Sequence, residues 1–152
     1  MAPKSNVAPR RVLVVDDDPA LLAAIADGLQ IMGGFEVIFA SDGASGLERF
    51  FAAAPDCVVV DVRMPGLNGY QFVRALRGDP ETAQTPIIVL SALVQDREQL
   101  AGLLTGADAY LTKPVKIVDL VVSIDHAVRL TSDERQRRVR ELTETAPERG
   151  NA

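Results

Sequence analysis

Residues 11–19 read RVLVVDDDP. Residues 12–15 carry no polar group. Three carboxylates then stand in a row, Asp16, Asp17 and Asp18, and a proline follows. A short apolar run rich in valine, bounded by turn formers, reads as a strand buried on both faces. Acids crowded at its end repel one another, so the fold has to bring positive charge to them. Asp18 before Pro19 also reads as a helix start, because an aspartate side chain accepts from orphan helix amides and proline suits the first helical position.

The same pattern recurs along the chain. Further apolar runs are EVIFA (36–40), CVVV (57–60), PIIVLS (86–91) and AYLT (109–112). Helical spacing fills the gaps. Leu22, Ile25, Leu29 and Met32 share one face of a helix that Gly33 and Gly34 terminate. Residues 43–55, 68–80 and 95–108 read as further helices, and Ile117, Leu120, Val121, Ile124 and Val128 form the apolar face of the last. The order is βαβαβαβαβα. Right-handed crossovers turn that order into an α/β fold, a doubly wound five-stranded parallel sheet with helices on both faces. Such sheets carry their sites at the carboxyl ends of the strands.

A length of 152 residues suits one domain, and 47% hydrophobic with 24% charged residues is globular rather than disordered composition. Residues 12–130 hold 8 Lys and Arg against 16 Asp and Glu. An acidic body argues against a duplex-DNA surface, which needs a basic face. The one arginine cluster, RQRRVR (135–140), is flanked by acids. Cys57 is the only cysteine, so no internal disulfide forms, and its place beside an apolar run predicts a buried, inert thiol. No apolar stretch approaches 18 residues and no signal-peptide core follows the N-terminal charges, so the expected location is the cytoplasm, without a membrane contact.

The strand ends hold the chemistry. The first ends in Asp16 and Asp17, the third in Asp61, the fourth in Ser91, and the fifth in Lys113 before Pro114. A single aspartate at a strand end is commonly a turn or cap residue. Three acids, a hydroxyl and an ammonium converging on one crevice suit phosphoryl transfer to a carboxylate. Asp61 is then the nucleophile, and a magnesium ion shared by Asp16, Asp17 and Asp61 neutralises the transferred charge.

These residues resemble the response regulator receiver domain of two-component signalling. The resemblance rests on VVDDDP (14–19), VVVDVRMPGLNGY (58–70), PIIVLSA (86–92) and GADAYLTKP (106–114). It implies a flavodoxin-like sheet of order 2-1-3-4-5. By position, Asp61 resembles the phosphoacceptor, and Asp16 and Asp17 the metal-binding acids. Arg63 matches the residue whose backbone carbonyl joins the metal. Ser91 and the backbone N–H of Ala92 match the groups that bind phosphoryl oxygens. Lys113 resembles the family's lysine, with a cis peptide to Pro114, and Tyr110 its switch aromatic. The implied cofactor is Mg2+ or Mn2+. The implied partners are a sensor histidine kinase or histidine phosphotransfer protein, and downstream a protein target or a second copy of the chain, with no direct DNA binding. Departures are few: two glycines precede the second strand, and Val115 replaces the usual Phe after Lys113–Pro114.

The expected organisation is a flexible segment at 1–10, a receiver domain at 11–130, and a polar helical extension with a disordered tail at 131–152. In the extension the last helix is expected to run on to about Thr143, supported by the pairs Glu134–Arg138 and Arg137–Glu141. The expected output face joins the helix at 95–108, the fifth strand and the last helix, with Tyr110 swinging inward from solvent behind Ser91. Arg63 and Leu93 are expected at the rim where water approaches. Two other classes share part of this pattern. A phosphohydrolase of the haloacid dehalogenase type would use Asp16 as nucleophile, but between the lysine and residue 130 only Asp119 and Asp125, both in a helical pattern, follow to hold its metal. A receiver that signals by contact alone would need no phosphoryl chemistry.

Overall fold

The computed structural model describes residues 8–92 and 106–137. Strands β1 (Arg11–Val15), β2 (Glu36–Ala40), β3 (Cys57–Asp61), β4 (Ile87–Ser91) and β5 (Ala109–Thr112) form one parallel sheet of order β2-β1-β3-β4-β5. Helices α1 (Pro19–Gly33), α2 (Gly43–Ala53), α3 (Gly69–Arg77) and α4 (Ile117–Arg129) connect and cover it. The helix expected over 95–108 falls mostly outside the described residues. Both the α/β class and the strand order agree with the sequence reading.

Strand alternation splits the core in two. Leu13, Val15, Val58, Val60, Ile87 and Val89 face one way and pack with Phe50 of α2 and Phe72, Val73 and Leu76 of α3. Val12, Val14, Cys57, Val59, Ile88 and Leu90 face the other way, against Leu22, Ile25 and Leu29 of α1 and Leu120, Ile124 and Ala127 of α4. Successive side chains point to opposite faces, so a run without polar residues needs helices on both sides. Every residue of β3 and β4 is buried, while the edge strands β2 and β5 are partly open.

The helix starts follow local chemistry. Asp18, Asp42 and Asn68 are extended N-cap residues whose side chains accept from the first turn of α1, α2 and α3. Asn68 and Gln71 form a reciprocal capping box. Gly34 closes α1 in the left-handed region, φ 66°, where glycine carries no Cβ penalty. α3 ends sooner than the sequence spacing suggests, at Arg77, because Thr82 folds back and donates to the Leu76 carbonyl at 2.6 Å.

Cys57 is fully buried, and burial foremost, with Asp108 and Asp56 adding to it, pushes its thiol far up. The native protein is therefore expected to resist iodoacetamide at pH 8 and to react once unfolded in guanidinium. Rapid native labelling would contradict this packing. Among the described residues no helix is long and apolar enough to cross a membrane.

Candidate functional site

The three consecutive acids diverge, and each has a separate task. Asp16 turns inward with no exposed surface. Its Oδ1 accepts the Asp18 N–H at 2.9 Å and its Oδ2 meets Lys113 Nζ at 3.0 Å. Asp17 stays exposed. Asp18 caps α1, accepting from the N–H groups of Ala20 at 3.0 Å and Leu21 at 3.3 Å. Repulsion within the triplet is thus relieved by direction as well as by the lysine.

Asp61 closes β3 at 5% exposure. Lys113 Nζ lies 3.1 Å from its Oδ2, and the Arg63 N–H hydrogen-bonds its carboxylate. One ammonium therefore bridges two buried acids on different strands. Carboxylate oxygens of Asp16, Asp17 and Asp61 lie within 4.8 Å of one another. Three carboxylates against one ammonium leave the cluster net negative, and a set of hard oxygen donors fits a divalent cation such as magnesium.

Burial foremost pushes the Asp61 carboxyl above its ordinary range; the Lys113 hydrogen bond pulls against this and Asp16 adds to the rise. For Lys113, burial pulls the ammonium down, but hydrogen bonds and charges from Asp16 and Asp61 outweigh it and hold it above its ordinary value. An ion pair alone would move its two members apart. Both rise because Asp61 is the more deeply buried and also faces a second acid.

Local backbone holds these groups in place. The Lys113 N–H donates to the Ser91 carbonyl at 2.8 Å, and the Lys113–Pro114 peptide is cis. Ser91 is buried at the end of β4, with Ala92 exposed beside it. Leu93 lies outside the described residues. Gly69 starts α3 directly over Asp61: a Cβ there would collide with the Asp61 carbonyl and with Val62. The Gly69 N–H donates to the Val62 carbonyl at 3.0 Å, which fixes the β3–α3 loop against the site. Residues 65–69, PGLNG, carried the signal for this close approach, but it reads first as an ordinary turn.

Tyr110 corrects one expectation. It was expected to start from a solvent-facing position, yet it is half-buried and packs with Tyr70 and Ala107 on the core under α3. The pairings Val89 with Tyr110 and Ser91 with Thr112 put Tyr110 on the same sheet face as Ser91. On that face Tyr110 packs against the core cluster to which α3 contributes, which leaves the ring partly covered.

Comparison with known proteins agrees with the geometry. The family model of the response regulator receiver domain matches residues 12–125. The transcriptional regulatory protein PrrA of Mycobacterium tuberculosis (strain ATCC 25618 / H37Rv) is 42% identical over 125 residues, 82% of this chain and 52% of PrrA. The DNA-binding dual master transcriptional regulator RpaA of Synechocystis sp. is 34% identical over 121 residues, 80% of this chain and 50% of RpaA. The chain thus spans about half the length of the curated relatives it matches. Among solved structures, a receiver domain protein from Clostridium thermocellum superposes with TM-score 0.71 and 31% identity over 78% of this chain and 94% of that one. The chemotaxis protein CheY4 of Vibrio cholerae gives 0.71 and 31% over 79% and 99%. A match spanning all five strands and the acids at their ends makes this chain a member of the response regulator receiver family, the signalling modules of two-component systems.

Proposed function

We propose that the chain accepts a phosphoryl group on Asp61 from a phosphohistidine of a sensor kinase or phosphotransfer protein. The donor P–N bond breaks and a P–O bond to Asp61 forms, giving an acyl phosphate. The observation that carries this reading is the single ammonium of Lys113 bridging Asp16 and Asp61 beside the exposed Asp17. A bound Mg2+ or Mn2+, held by Asp16, Asp17, Asp61 and the Arg63 carbonyl, would supply positive charge to the transferred oxygens. Lys113 follows those oxygens as a counter-charge, and Ser91 with the Ala92 N–H donates to them. Asp16 is a poor nucleophile by comparison, because both its oxygens are engaged and none of its surface is exposed.

The output is read by a protein, either a target or a second copy, rather than by nucleic acid, since residues 12–130 carry twice as many acids as bases. The surface we assign to it lies beside β5 and α4, where Val118 and Val122 stand exposed one turn apart. Ser91 moves toward the new oxygens, and Tyr110 moves deeper from its half-buried place against Tyr70. The remainder of the face, over 95–108, lies outside the described residues.

Acetyl phosphate with magnesium is expected to add a phosphoryl mass of about 80 Da, mapped to Asp61, and EDTA is expected to prevent it. An adduct on another residue, or one formed equally in EDTA, would overturn the assignment.

A further inference from the structure

The residues after Leu130 do not extend α4. Leu130 is extended, φ −65° and ψ 133°, and a new helical stretch begins at 132–137. Thr131 opens it. Its Oγ1 accepts the Glu134 N–H at 3.1 Å, and Glu134 Oε2 accepts the Thr131 N–H at 3.0 Å. This reciprocal capping box replaces the continuous helix expected from sequence. The partners of the expected Glu134–Arg138 and Arg137–Glu141 pairs lie outside the described residues.

Next to the cap, Arg135 is 6% exposed in a segment otherwise open to solvent. Its Nε donates to Asp108 Oδ1 at 2.7 Å, one Nη to the Gln84 carbonyl at 3.0 Å, and the other to the Ala127 carbonyl at 3.1 Å. Asp108 is the hub. Its Oδ2 accepts the Ile87 N–H at 2.8 Å and pairs with Arg77 at 3.4 Å, and its own N–H donates to the Ile87 carbonyl at 2.8 Å. Arg77 in turn holds the carbonyls of Gly106, Ala83 and Thr85. None of these groups belongs to the acidic site, which sits at the opposite ends of the strands.

Arginine is almost never buried unless its donors are paired. A solvated linker has no use for a guanidinium with partners on α4, on the turn before β4 and at the start of β5. We propose that Arg135 is a clip that fastens residues 131–137 to the entry ends of β4 and β5, making this segment a rigid exit from the domain. The family match stops at residue 125, and the clip does not depend on the phosphoacceptor reading. The segment up to residue 137 is then held against the sheet rather than left on a free joint. Ile87 opens β4 and Asp108 directly precedes β5, so the exit is built at the entry ends of the two strands that carry Ser91 and Tyr110.

Hydrogen exchange on the full chain tests this without any ligand. In the wild type, amides of 131–137 are expected to be protected. Arg135→Ala should speed their exchange by roughly tenfold or more, and also speed that of Ile87 and Asp108, while β1 and β2 stay unchanged and report an intact fold. Arg135→Lys should lie between, because an ammonium keeps the charge but loses the fork. Thr131→Ala removes only the cap and should have a smaller effect. Unprotected amides at 131–137 in the wild type would overturn the proposal. So would Thr131→Ala releasing the segment as fully as Arg135→Ala, for then the cap and not the clip would hold it.

Discussion

Asp61→Asn is expected to lose all phosphoryl incorporation and at the same time to make the fold more stable. The first effect follows from the missing nucleophile oxygen. The second follows from burial. Asp61 keeps only 5% of its surface, and burial raises its carboxyl although Lys113 pulls the other way. A carboxyl raised in the folded state binds its proton more readily there than in the unfolded chain. Stability is therefore lost as pH rises through the folded pKa, and the ionised site at neutral pH bears the full cost. Asparagine removes that charge and leaves Lys113 paired with Asp16 at 3.0 Å. A gain on the order of 1 kcal/mol is expected, raising Tm by about 2–4 °C at pH 7. The gain should shrink on acidification, as the wild-type carboxyl takes up its own proton. Intact mass after acetyl phosphate and thermal melts at two pH values check both halves. A persisting Asp61-independent adduct, or a lower Tm at pH 7, would contradict the reading.

The strands were legible in the sequence because each one is bounded by chemistry it cannot continue through. Asp16 ends β1, Asp56 precedes β3, and Pro86 precedes β4, so the expected and observed boundaries differ by no more than one residue. The places of Asp16, Asp61 and Lys113 were legible for the same reason: a charge directly after a buried run has to be at the strand end. Four features were not. The partner of a charged residue is set by tertiary approach, so Lys113 spanning Asp16 and Asp61 was expected only as neighbourhood, not as a two-acid bridge. Tyr110 was misplaced because alternation gives the face of a strand but not how deeply an edge position on that face is covered. The break at Leu130 had a local signal, Thr131 and Glu134 at capping-box spacing, which the run of charge pairs around it obscured. Arg135 had none, since nothing in RQRRVR marks which guanidinium meets an aspartate 27 positions back.

Lys113→Ala carries the largest expected loss. Its ammonium lies 3.0 Å from Asp16 and 3.1 Å from Asp61, and its side chain is 21% exposed against 0% and 7% for the two acids. The lysine end is partly solvated, but the acids are not. Removing the lysine therefore does little for the lysine's own solvation and strands two like charges in the interior. Breaking one side of such a pair costs about 3 kcal/mol, which for a chain of this size lowers Tm by about 6–12 °C. The deficit should respond to added positive charge from either source. Lower pH protonates the stranded acids and narrows the gap to wild type. Millimolar magnesium, binding only the assembled carboxylates, should recover more stability in the variant than it adds to the wild type. Phosphoryl incorporation should fall by about 100-fold even with magnesium, because a counter-charge preorganised at the transferred oxygens is gone. Urea melts with and without magnesium, at pH 5 and pH 7, separate these effects. A loss of stability that neither acid nor magnesium reduces would mean that Lys113 supports the fold by packing its stem, and that the charge bridge across β1, β3 and β5 is not what holds the site together.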